Sequence, residues 1–161
     1  MHAILVTLAL LLPVTALAGV EGYWKTVNED TQRPQSVVLV TTEEGVATGR
    51  IVQVFCEPTD KPDPICDLCE GPEKDQTIVG MMILSNLKSD GSQWSGGTVL
   101  DPGNGKRYRA YIEEEEGGDR LKVRGYIGIA LLGRTQYWYR VEKPDPNIRT
   151  YLLNGPGELM P

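Results

Sequence analysis

The chain has 161 residues, a formal net charge of −6, three cysteines and a single histidine, His2. Its length fits one domain, and its acidity gives no long-range attraction to nucleic acid or anionic membrane surfaces. Because His2 falls in a segment expected to be cleaved, the mature chain has no imidazole for a Ser-His-Asp triad, a Cys-His pair or a His-ligated metal, which removes most hydrolase and metalloenzyme designs.

Ala3 to Ala18 is apolar except for Thr7, Pro13 and Thr15, and it ends in Ala16-Leu17-Ala18. An apolar run of this length before an Ala-x-Ala site has the form of a secretory signal. Pro13 and the short run argue against a stable span, and Gly19 rather than Cys follows the site, so neither insertion nor lipid attachment is indicated. The expected division is a signal peptide over 1–18, a folded domain over 19–142 and a Pro-rich tail over 143–161, in an exported, periplasmic protein.

After the signal, short segments rich in β-branched and aromatic residues alternate with turn-forming clusters, the pattern of antiparallel strands. Strands are expected over 22–27, 36–42 and 48–56, the last two joined at Glu43-Glu44-Gly45. A long loop rich in Pro, Asp and Lys follows over 57–76, and loops of that length are often functional. Apolar 77–87 is expected as a strand on its length and flanking turns. Four more strands fall over 94–100, 106–114, 120–127 and 134–141. Within them Tyr108, Ala110 and Ile112 alternate with Arg107, Arg109 and Tyr111, and Leu121, Val123 and Gly125 with Lys122, Arg124 and Tyr126. A period of two means one face inward and one wet. About eight hairpin-linked strands close most economically as an up-and-down β-barrel, which removes exposed edges; a two-sheet sandwich is the alternative. The tail is expected to be irregular, with Tyr151-Leu152-Leu153 as the stretch able to clip onto the barrel.

Gly22-Tyr23-Trp24 on the first strand, with Arg140 closing the last, resembles the Gly-x-Trp and late Arg of lipocalin-like barrels. That resemblance implies Trp24 plugging one end with Arg140 across its ring. A closer likeness spans nearly the whole mature chain. It is carried by Trp24-Lys25-Thr26, Asp63-Pro64-Ile65-Cys66-Asp67-Leu68-Cys69, Trp94-Ser95-Gly96-Gly97, Asp101-Pro102-Gly103-Asn104-Gly105-Lys106, Leu121-Lys122-Val123-Arg124-Gly125-Tyr126-Ile127-Gly128 and Gly133-Arg134-Thr135-Gln136. In these segments the chain resembles the domain-of-unknown-function family DUF2147, exported bacterial proteins with a lipocalin-like barrel. The resemblance implies fold and compartment only, since the family has no settled activity or catalytic residues. Cys56 and the tail after Val141 look like additions to its pattern.

Cys66-x-x-Cys69 is the sharpest chemical feature. A redox pair needs a low-pKa thiol, typically at a helix N-terminus, whereas this motif lies in a Pro/Gly-flanked loop, so a structural disulfide is favoured. Cys56 is left over. A three-Cys metal site with Asp63 or Asp67 lacks support in an oxidising compartment, and no metal or cofactor is expected. Glu113 to Glu116 reads as a solvated hairpin tip, with Lys106, Arg107, Arg109, Lys122 and Arg124 as its basic counterpart across the next hairpin. The Gly-flanked apolar connection 127–132 is expected either to plug the barrel mouth or to act as a lid over it.

A barrel of this size is filled by side chains or holds one small ligand. Arg134 and Gln136 are the candidates to meet a polar head, and Trp138, Tyr108 and Trp94 to line an apolar site. The leading expectation is non-catalytic binding of a small, mostly apolar molecule such as a fatty acid or lipid fragment. The alternative is an envelope interaction or structural protein with a filled barrel, using the 57–76 loop or the tail as a protein contact. An enzyme, tested at Asp101 or Arg134, and a thiol oxidoreductase carry less weight, since no paired acid and base stands out.

Overall fold

The computed structural model describes residues 19–56 and 63–144, and the backbone of 150–151. The expected signal segment, part of the long loop and most of the tail lie outside the described residues.

Alternating side chains and tight turns lay out β1 Gly22–Val27, β2 Pro34–Glu43, β3 Val46–Cys56, β4 Met82–Ser89, β5 Trp94–Asp101, β6 Lys106–Glu115, β7 Arg120–Tyr126 and β8 Arg134–Val141. Each strand pairs antiparallel with the next, and β1 also pairs with β8 through Tyr23↔Val141, Trp24↔Arg140 and Lys25↔Tyr139, closing an eight-stranded barrel. A short β9, Thr150–Tyr151, adds in parallel to the end of β3 through Phe55↔Thr150 and Cys56↔Tyr151. This is an up-and-down barrel rather than a sandwich.

The fourth strand starts later than its apolar sequence suggests. Thr77 bridges back to Ile65, and Gly80 turns the chain at φ 94° before β4 begins. A backbone at that φ cannot continue a pleated strand. β4 is itself irregular at Asn86, φ 58°, and the facing Gly97 has no room for a side chain, because a Cβ there would lie 2.1 Å from the Ser85 carbonyl oxygen.

The half of the barrel that holds the β2–β3, β4–β5 and β6–β7 hairpins is solid. Trp24, Val38, Val40, Ala47, Leu84, Leu87, Ile112 and Leu121 are fully buried there, and each larger one contributes about 1.5–3 kcal/mol by leaving water. Trp24 Nε1 donates to the Val20 carbonyl at 2.8 Å. Arg140 lies over the Trp24 ring, 4.1 Å from its centroid, and donates to the carbonyls of Glu21 and Gly19 at 2.7 Å each and to that of Gly118. Gly22 beside it sits at φ 125°, and a Cβ there would come within 2.6 Å of Arg140 Nη1. One short segment thus needs a glycine, a tryptophan two residues later and an arginine on the last strand.

The outer face of β6–β7 carries the acidic run. Glu113 and Glu115 sit opposite Lys122 and Arg120 in the ladder, and the pairs close at 3.0 and 2.7 Å. Hydrogen bonding to Glu115 and Glu113 raises the pKa values of Arg120 and Lys122 respectively. The basic counterpart is divided, however. Arg107 pairs with Glu73 at 2.6 Å, Arg109 rests over the Tyr126 ring, and Arg124 binds backbone carbonyls.

Candidate functional site

β1 runs from the closed end toward the open one, so the β1–β2, β5–β6 and β7–β8 connections and the segment before β4 gather at the open end. Above the solid half they enclose a cavity of about 630 Å³, within the range that holds one small ligand. Its walls are mainly apolar, with Ile51, Val54, Phe55, Ile83, Val99 and Val123 among them, and Trp138 marks its deepest level on β8.

Few polar groups reach this interior, and most are already engaged. Thr26 and Ser36 share a hydroxyl–hydroxyl hydrogen bond at 2.9 Å, and the Ser36 backbone N–H donates to Thr26 Oγ1. Trp138 Nε1 donates to Gln136 Oε1 at 3.2 Å. An indole N–H can only donate, so the amide oxygen of Gln136 must face it. The Gln136 amide nitrogen therefore makes no hydrogen bond among the described residues and is available to a ligand acceptor.

Polar groups concentrate at the rim. Arg134 is ion-paired with Glu29, which pushes the guanidinium pKa up further, and its side chain remains 70% exposed. Glu29 Oε1 has no hydrogen-bond partner among the described residues. Asn104 Nδ2 donates to Asp101 Oδ2 at 2.9 Å and to the Tyr108 hydroxyl at 3.1 Å. Asp101 also accepts from the Gly103 N–H, so it serves the turn rather than standing as a general base. Tyr108 lines the wall with its ring and anchors its hydroxyl on that turn.

Four of the five expected lining residues, Arg134, Gln136, Trp138 and Tyr108, border the cavity. Trp94 does not. It opens β5 at the closed end, opposite Ile112, and packs part-buried against the solid core. A register shift between Trp94 and Gly97 turns it inward, and strand direction sets its height. Val54, Phe55, Thr26 and Ser36 were not singled out from the sequence. The inward parity of Ser36 with Val38 and Val40 was the available signal.

Cys66 and Cys69 form a disulfide with Cα atoms 5.3 Å apart. Both are buried in the core cluster, with Cys66 Sγ 3.5 Å from the Pro102 carbonyl oxygen. The bridge tightens the segment before β4, which packs against the β5–β6 turn, and its burial does not suit thiol exchange. Cys56 is buried and outside any disulfide. Among the described residues no group of three His, Cys, Asp or Glu side chains is placed to hold a metal ion.

A model of the family described as "Uncharacterized protein conserved in bacteria (DUF2147)" matches residues 22–140. Among solved structures, protein HP1028 from the human pathogen Helicobacter pylori, described as belonging to the lipocalin family, is similar with a TM-score of 0.65 and 19% identity. The similarity covers 78% of this chain and 84% of that one, and at this identity it shows the fold. No curated protein matches.

Proposed function

The chain belongs to the bacterial family DUF2147, and we propose that it is a non-catalytic binding protein that holds one small, mostly apolar molecule with a polar head, such as a fatty acid or lipid fragment. The observation that carries this reading is the 630 Å³ cavity, open at one end, apolar within and polar at its rim. An acyl chain would lie against Val54, Phe55, Val99 and Val123, and each buried methylene would contribute about 0.8 kcal/mol. Its head would meet the unengaged amide of Gln136 or the guanidinium of Arg134 at the rim.

The same reading places the protein in the periplasm. The Ala3–Ala18 segment supports export, and the buried Cys66–Cys69 disulfide fits an oxidising compartment.

Native mass spectrometry of the mature protein, isolated from its own periplasm without lipid stripping, tests the proposal. A discrete adduct of a few hundred daltons that mild organic extraction removes is the expected result. A clean apo mass across growth conditions, together with no binding of fluorescent fatty acids by the extracted protein, would overturn it.

A further inference from the structure

The connection between β7 and β8 exposes what soluble surfaces usually hide. Ile127, Ile129, Leu131 and Leu132 are 71%, 60%, 82% and 77% exposed. A lone exposed leucine needs no explanation, but four large aliphatic side chains within six consecutive positions form a patch. Ile127 and Leu132 border the cavity mouth, while Ile129 and Leu131 are outside its lining.

This tip is held in shape. From the wall of β7, Arg124 Nε donates to the Ala130 carbonyl at 2.7 Å, and Nη2 to that of Leu131 at 3.1 Å. Its Nη1 donates to Thr135 Oγ1 at 2.6 Å. A 3-10 turn over Ala130–Leu132 is closed by Leu132 N–H to the Ile129 carbonyl and Gly133 N–H to that of Ala130. Carbonyls are drawn in to the guanidinium while the aliphatic side chains turn out. Internal satisfaction of the backbone is what a segment needs before it enters an apolar medium.

Two observations choose the occupant. Residues 120–141 contain no carboxylate, and of their five cations Arg124 and Arg134 flank the tip, Arg134 paired with Glu29, while Arg120, Lys122 and Arg140 lie toward the closed end. Next to the tip Arg109, over the Tyr126 ring at 5.6 Å, has no carboxylate partner among the described residues. An aliphatic tip flanked by the Arg109–Tyr126 pair matches the layered chemistry of a bilayer surface, acyl chains below and phosphates above. The tip is also too small for a stable protein interface, since its four side chains expose roughly 500 Å², below the ~800 Å² per partner such interfaces bury. Ile127 and Leu132 in addition line the cavity, so the patch runs directly into the mouth.

We propose that the β7–β8 tip is an interfacial anchor that seats the open end of the barrel on a lipid bilayer. Ile129 and Leu131 enter the boundary between headgroups and acyl chains, and Arg109 meets lipid phosphate. The chain's net charge of −6 gives no long-range attraction, so docking depends on short-range insertion. A barrel seated this way passes an apolar cargo between bilayer and cavity without exposing it to water. That use rests on the binding function proposed above, whereas the docking does not.

Flotation of the mature protein, as recovered from cells, with vesicles of phosphatidylethanolamine and phosphatidylglycerol tests the anchor. Wild type is expected to float. The double variant Ile129→Asp with Leu131→Asp, at two positions outside the cavity lining, is expected to lose at least about tenfold in floated fraction. Its unfolding midpoint and its solution binding of a fluorescent fatty acid should be unchanged. Wild type that stays in the soluble fraction, or a double variant that floats equally well, would overturn the proposal. So would a concentration-dependent dimer that the double variant abolishes, because a second copy would then cover the tip. Flotation without any fatty-acid binding would uphold the anchor and refute the cargo.

Discussion

Replacing Arg140 by Met should destabilise the barrel by about 3 kcal/mol without changing its fold. Methionine keeps an unbranched apolar stem against Trp24 but removes the charge and every donor. The guanidinium donates to the carbonyls of Gly19, Glu21 and Gly118 while lying 4.1 Å from the Trp24 ring. Hydrogen bonds to a charged group contribute about 1.5–3 kcal/mol each when buried. The side chain is 26% exposed, so water recovers part of that, and roughly 2 kcal/mol remains for the three bonds. The ring contact adds about 1 kcal/mol. The 4.0 Å approach to Glu114 adds little at such exposure. For a domain of this size the total corresponds to a fall in Tm of roughly 10 °C. Urea and thermal unfolding would measure it, with an unchanged m-value showing that the native state is intact. A cycle with Gly22→Ala sharpens the test. In the wild type that change meets both the positive φ and Arg140 Nη1 at 2.6 Å; beside Arg140→Met only the backbone cost of about 1–2 kcal/mol remains. Additive effects of the two changes, or a loss below about 1 kcal/mol for Arg140→Met alone, would refute this account of the closed end.

Three further outcomes are expected. Val54→Trp, which fills the cavity from β3, should abolish binding of a fluorescent fatty acid while the unfolding midpoint holds; retained affinity would place the ligand elsewhere. Cys66→Ala with Cys69→Ala opens a short ring, for which loop entropy predicts a loss of roughly 2 kcal/mol. Urea unfolding would detect that loss, and circular dichroism should still report the barrel. Hydrogen bonds from the Thr42 hydroxyl and N–H hold Glu21 below its ordinary value of 4.5, and those from the Gln93 N–H and from Ser92 hold Asp90 below 3.8. Folded-state pKa values below the unfolded ones mean that this stability is complete above the ordinary carboxylate range and is lost as pH falls through the folded values. Glu21→Gln with Asp90→Asn should therefore flatten the acid limb of the urea midpoint against pH, and parallel limbs would count against it.

What the chain determines locally was legible from its residues. Period-two alternation set the eight strands and the inward faces of β6 and β7, and Asp101 to Gly105 marked its turn. Trp24 and Arg140 stood at the two strands that close the barrel. Where a local signal was overridden, a nearby backbone term did it, as at Gly80, whose φ of 94° ends an apolar run that reads as strand. Height was another matter. Trp138 keeps the inward parity of β8 and marks the deepest level of the cavity, whereas Trp94 faces inward only through the register shift between Trp94 and Gly97 and packs the closed end. Alternation is a property of the single strand, whereas height depends on strand direction, stagger and the β1–β8 pairing across the whole chain. The Arg124 clasp follows the same rule. Its outward parity was readable, but the capture of two carbonyls and a threonine hydroxyl exists only once β7, its turn and β8 are folded together. The turned-out aliphatic tip beside the cavity mouth was therefore a decision of the tertiary structure.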